Sequence, residues 1–151
     1  MMTQLYRQAT RYDACIQAWG GAFVLLALRL YVGWQFLKAG LVKVQDWDAT
    51  LSLFRDEYMV PLLPPELAAY AGAAGELVLP LLLFAGLLTR PAALALFAVN
   101  VMAVVSYPQL FMFDCPAALN DHYFWGVMLL VLAVFGGGKA ALDAWLAKRL
   151  S

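Results

Sequence analysis

The chain has 151 residues, 64% of them hydrophobic and only 13% charged, with ten basic and ten acidic side chains that cancel to a net charge of zero. A water-soluble domain of this size needs more polar surface, and a neutral chain without a basic patch does not suit nucleic acid. The sequence has no P-loop, no dinucleotide-binding glycine turn and no Ser or Cys nucleophile with a candidate base, which excludes the common soluble enzyme classes.

In chain order, residues 1–19 are mostly polar and carry Arg7 and Arg11. No small-residue cleavage site follows, so this segment leads into an uncleaved first helix and is not read as a signal peptide. Four apolar segments then approach the roughly 20 residues that a helix needs to cross a hydrocarbon core. They cover about residues 18–41, 67–88, 92–113 and 122–137. The last is short and needs His122 and its neighbours, or the glycines after Phe135, to complete it. The expected fold is an all-α integral membrane four-helix bundle, a single domain over residues 1–151.

Arg7 and Arg11, then Arg90, then Lys139, Lys148 and Arg149 flank the spans on one side. The positive-inside rule makes that side cytoplasmic, with both termini inside, as for a multi-pass protein of a bacterial inner (plasma) membrane. Cys15 and Cys115 then fall on opposite sides, about 30 Å apart, too far for an intrachain disulfide. Between the first two spans, Trp47, Leu51, Phe54 and Tyr58 recur at helical spacing. They predict a short amphipathic helix capped by Asp46 or Asp48 and ended by Pro61, with its aromatic face down in the headgroup region. Such a helix is either a lid over the bundle or a plain surface anchor. A second amphipathic stretch, residues 139–150, carries Leu142, Trp145, Leu146 and Leu150 on one face of a cytoplasmic segment.

Charges inside the spans are the candidate site. Counted from the starts of their apolar runs, Arg29 and Glu76 each lie about 15 Å deep, and Asn100 reaches a similar level. Unpaired, either charge costs several kcal/mol, so the two are expected to pair in the bundle interior, with Asn100 and Gln35 meeting the remaining polar groups. Pro80 frees the carbonyl of Glu76, and Pro108 is expected to do the same to Val104 inside the third span, kinking both helices. Ala68, Ala71, Gly72 and Gly75, with Gly33 and Gly40, predict close helix contact, and such small-residue faces permit a homo-oligomer.

Three signatures occur in order: Arg29-Leu-Tyr-Val-Gly33-Trp-Gln-Phe36-Leu-Lys38-Ala-Gly40-Leu-Val-Lys43; Gly72-Ala-Ala-Gly75-Glu76 continuing to Ala85-Gly86-Leu-Leu-Thr89-Arg90-Pro91; and Gly136-Gly-Gly138-Lys-Ala-Ala-Leu-Asp143. Over about residues 22–143 the chain resembles the DoxX family of small four-helix bacterial inner-membrane proteins, related to the DoxD-type subunit of thiosulfate:quinone oxidoreductase. The resemblance marks Arg29, Gly33, Gly40, Lys43, Gly75, Glu76 and Asp143 as family-typical, and Gly137 departs from a proline in many relatives. It implies a membrane subunit of a quinone- or sulfur-linked redox complex, whose partner protein carries the redox chemistry.

On that reading Glu76 and Arg29 form the proton and ligand site, while Lys38, Asn100 and Gln35 line a quinone-sized cavity. No intrinsic cofactor is evident: haem-ligand pair, flavin fingerprint and Cys pair are all missing from the sequence. Two other readings stand beside it. One is a partner or transporter for metal- or thiol-bearing ligands, copper among them, with Cys115 and His122 as weak metal candidates beside Asp114 and Met112. The other is a structural scaffold in which the buried charges only fix helix register.

Overall fold

The structure is a computed structural model that describes residues 2–112 and 117–150; in residues 2–9, 11, 14, 15, 17 and 18 only the backbone is described. Its helices are α1 (Met2–Gln45), α2 (Trp47–Asp56), α3 (Pro65–Ala85), α4 (Thr89–Ser106), α5 (Ala117–Phe135) and α6 (Leu142–Leu150), with a 3-10 turn at Pro108–Phe111. Four helical stretches are long and apolar enough to span a membrane: Trp19–Gln45, Pro65–Ala85, Thr89–Ser106 and Ala117–Phe135. Helices α1, α3, α4 and α5 pack in a ring, α1 on α3, α3 on α4, α4 on α5, and α5 back on α1. The all-α membrane bundle expected from the sequence is the fold.

Its centre is apolar, built from Val32, Phe36, Leu83, Ala92, Ala93, Leu96, Leu129 and Leu132. Only 33% of the α3 and α4 spans and 17% of the α5 span are buried inside the protein. The outward side chains, among them Trp34, Val78, Leu81, Leu94, Val127 and Val134, are apolar too. An apolar exterior around all four helices belongs in hydrocarbon, where backbone groups must be satisfied within each helix.

Helix limits differ from the sequence reading where local chemistry overrides hydropathy. The first helix does not stop at Leu41 but continues to Gln45, through Val42, Lys43 and Val44. The third span ends at Ser106, not near 113. Tyr107, pushed out of helical conformation (φ −120°, ψ 81°) by the proline after it, closes α4, and Pro108 starts the 3-10 turn. Pro108 therefore kinks no span, whereas Pro80 does lie inside α3, buried. The fourth span gains length at its start, since α5 begins at Ala117 and places His122 in its second turn.

Helix α2 is capped by Asp46, whose side chain accepts from the Ala49 N–H at 3.0 Å. It ends at Asp56, before Pro61. Its apolar face does not point to lipid: Phe54 packs with Ala68 and Ala69 of α3, with Trp47, Leu51, Tyr58 and Val60 around them. Small residues in the first turns of α3 make the seat, Gly72 lying against the Phe54 ring. Trp47 stacks on Tyr70 with centroids 4.6 Å apart, Thr50 Oγ1 donates to the Lys43 carbonyl at 2.9 Å, and Arg55 donates two hydrogen bonds to Glu66. The helix is thus fastened across the end of the bundle, over α3.

The opposite end is closed by Arg29, which is fully buried. Its guanidinium donates to the Leu83 carbonyl in the last turn of α3 and to the Ala140 carbonyl before α6, each at 3.2 Å. The α3–α4 turn makes room for it: Gly86 sits at φ +67°, and a Cβ there would fall on the guanidinium. Leu88, which precedes α4, is itself left-handed (φ 49°) and offers no side-chain cap. Asp143 supplies that cap from α6, its two carboxylate oxygens accepting the Leu88 and Thr89 N–H groups at 2.8 Å each. The Asp143 N–H in turn donates to the Gly86 carbonyl at 2.9 Å.

Burial pushes the Asp143 carboxyl upward, but hydrogen bonds from Thr89 and Leu88 and the nearby Arg29 charge outweigh it and hold the pKa below its ordinary value. A carboxyl depressed on folding stabilises above its unfolded pKa, about 4, and loses that contribution as pH falls through its folded value. Asp143→Ala should therefore cost about 1–2 kcal/mol at pH 7, as for a lost helix cap. In thermal unfolding of the detergent-solubilised protein, the gap to wild type should narrow as pH drops below about 4.

Candidate functional site: a buried ion pair beneath α2

The α1–α3 contact is close because α1 presents Gly40 there. A Cβ on Gly40 would lie 3.0 Å from the Glu76 Cβ and 3.1 Å from its carbonyl carbon. Lys43 follows three residues later, nearly one helical turn and on the same face. Its Nζ meets Glu76 Oε2 at 2.6 Å, with side-chain exposures of 19% and 9%. An ion pair so far out of water needs short geometry to offset desolvation, and this one has it. The backbone of the lysine is tied to α2 through Thr50, so α2, α1 and α3 meet at the pair.

Aromatic side chains continue the cover. Tyr58 lies edge-on to Phe54 (centroids 4.9 Å) and to Tyr107 (5.3 Å). The segment after α2 is joined to the end of α4 by the Met59 N–H, which donates to the Ser106 carbonyl at 2.8 Å. Burial raises the Tyr58 hydroxyl above its ordinary pKa, and negative charge at Tyr107, Glu76 and Glu57 adds to the shift. Tyr58 therefore stays protonated and able to donate near the pair.

The expected Arg29–Glu76 pair does not form; each charge has other partners. Gly33 lies beside Phe84 and Gly40 beside Glu76, which fixes the antiparallel register of α1 on α3. In that register Arg29 falls level with the last turn of α3, about 21 Å along α1 from Lys43. The error in the expectation lies in measuring depth from the start of the apolar run. Register selects the partner: the close approach of Gly40 to Glu76 brings Lys43, three residues further along α1, to the acid.

Asn100 is buried, but its partner is His122, not the charges. Its amide donates to the His122 carbonyl at 2.9 Å and its oxygen meets His122 Nδ1 at 2.8 Å. Gln35 is half-buried and Lys38 exposed, so Lys38 is not a lining residue of the interior. Asp114 and Cys115 lie outside the described residues, as does the Cys15 side chain, and Met112 is exposed. Among the described residues no three His, Cys, Asp or Glu side chains gather as a metal site.

The order of polar contacts from Arg29 through Glu76 to Asp143 follows the three sequence signatures, and the DoxX family profile matches residues 24–109. The chain belongs to the DoxX family. This DoxX protein is also 31% identical, over 141 residues, to an uncharacterized protein of Haemophilus influenzae, an alignment covering 90% of this chain and 91% of that one. No solved structure matches it. As a DoxX protein with four apolar helices, it is a multi-pass membrane protein.

Gly40→Val should open the α1–α3 contact, because the new side chain meets α3 backbone that cannot yield, at a cost of about 1–3 kcal/mol. Gly20→Ala, whose Cβ would meet only Ile16 at 3.7 Å, serves as the control. Thermal midpoints in detergent should fall for the first and stay within about 1–2 °C of wild type for the second.

Proposed function

We propose that this DoxX protein is the membrane subunit of a quinone- or sulfur-linked redox complex in the bacterial inner membrane, and that the Lys43–Glu76 pair is its proton-exchanging site. The observation that carries the reading is the buried pair itself, held at 2.6 Å beneath α2. A quinone ring becomes a quinol by taking up two electrons and two protons. The electrons come from a reduced sulfur donor on a partner protein, and the membrane subunit supplies a bound ring and protons. Lys43 is a donor that can turn to a ring carbonyl, Glu76 is a carboxylate that can give or take the proton, and Tyr58 offers a second donor.

Both termini face the cytoplasm on this reading. The base of the bundle carries Arg90, Lys139, Lys148 and Arg149 near the α3–α4 turn and α6, as the positive-inside rule requires, and the ion pair then belongs to the outer half of the membrane. Arg29 takes no part in the chemistry. Its fork is committed to backbone carbonyls of α3 and the α6 approach, which supports a structural role.

Protein purified from native membrane in mild detergent should carry quinone in organic extracts, and Glu76→Gln and Lys43→Met should each lower the amount at least about tenfold, as for a lost charge-assisted contact. Wild-type protein free of quinone, together with unchanged growth of Glu76→Gln cells on a reduced sulfur source, would overturn the reading. Full function in a charge-swapped Lys43→Glu, Glu76→Lys double variant would instead favour a register-fixing role for the pair.

A further inference from the structure

The Asn100–His122 contact is more specific than a chance polar pair between α4 and α5. A backbone carbonyl only accepts, so the hydrogen bond to the His122 carbonyl must come from the Asn100 amide nitrogen. That fixes which way the side-chain amide points and leaves its oxygen facing His122 Nδ1 at 2.8 Å. Nδ1 must therefore carry a proton, and in the neutral ring Nε2 is the unprotonated nitrogen, directed away from Asn100. Gly126 belongs to the same arrangement: a Cβ there would lie 3.3 Å from the Asn100 amide nitrogen, so the absence of a side chain gives the amide its place. Two residues, Asn100 on α4 and Gly126 on α5, thus orient the imidazole of the one histidine in the chain.

Around the ring are aromatic faces. The imidazole lies edge-on to Trp125, with centroids 4.9 Å apart, and Trp125 lies edge-on to Phe36 of α1 at 5.8 Å. Gly75 of α3 packs against Val99, one residue before Asn100, so the clamp and Glu76 stand at similar heights in the bundle.

We infer that Asn100 and Gly126 are positioning residues for His122, which presents Nε2 as a hydrogen-bond acceptor to the hydroxyl of an aromatic diol. The acceptor nitrogen selects a hydroxyl over a carbonyl, and the Trp125 ring beside the imidazole suits a flat aromatic ligand. The choice of a diol rests on the quinone reading above, whereas the orientation of His122 does not.

Because the chain has one histidine, nitrogen NMR of the full protein with 15N-labelled histidine in detergent at pH 8 reads the ring directly. Wild type should give the Nδ1–H form, and Asn100→Leu should shift it toward the Nε2–H form that free imidazole favours. A wild-type ring protonated on Nε2 would overturn the positioning claim. Titration with trimethylhydroquinone should move the Nε2 signal while its dimethyl ether leaves it in place, and His122→Phe should weaken diol binding about five- to tenfold. No Nε2 response to a saturating diol would overturn the ligand claim, even with the tautomer as expected. Quinone content in the Glu76 and Lys43 variants decides the parent reading separately.

Discussion

The register of α1 against α3 is the constraint on which the other contacts depend. Two helices that approach as closely as Gly40 and the Glu76 backbone do cannot slide, and the Phe84 ring against Gly33 gives the same register nearly two turns away. In hydrocarbon a charge must find its partner near its own depth, because neither water nor a long reach is at hand. Register therefore decides the pairing. It sends Arg29 to the carbonyl ends at the base of the bundle and gives Glu76 to Lys43 at the other end.

The two ends use their charges differently. At the base, Arg29 presents a rigid planar fork to two carbonyl groups, that of Leu83, which also accepts the Gly86 N–H at the end of α3, and that of Ala140 on the approach to α6. Asp143 does the complementary work for the orphan N–H groups at the start of α4, where a left-handed leucine cannot cap its own helix. Positive charge thus meets a helix C-terminus and negative charge a helix N-terminus across one turn. These residues recur in the sequence signatures because the turn is assembled from three distant segments.

The helical architecture was legible in the sequence because hydropathy and length report a membrane span directly. The aromatic spacing from Trp47 to Tyr58 likewise marked a short amphipathic helix. What hydropathy does not report is where one helix sits against another, and that is what placed Arg29 with the wrong partner. Nor does it distinguish a lipid-facing aromatic stripe from one seated on Ala68, Ala69 and Gly72, since both look apolar on one face. The helix ends moved for local reasons that were readable in principle, Pro108 ending α4 through the residue before it. The Asn100–His122 contact was out of reach, because a single Asn and a single His carry no spacing signal between them.

The contrast between the ends bears on where chemistry can occur. A group whose hydrogen bonds all go to backbone is part of the scaffold, and moving it costs the fold; Arg29 and Asp143 are of this kind. Lys43 and Glu76 are bound chiefly to each other, through two side chains, with the lysine still 19% exposed. Breaking that contact displaces no helix end, so a ligand that offered the lysine an acceptor and the acid a proton could exchange for it at modest cost. The same holds for His122, whose anchoring to Asn100 uses one ring nitrogen, the other having no hydrogen-bond partner among the described residues. The groups with spare bonding capacity lie toward α2, and the groups without it lie at the base. In this bundle the register between α1 and α3 keeps the charges of the two ends apart.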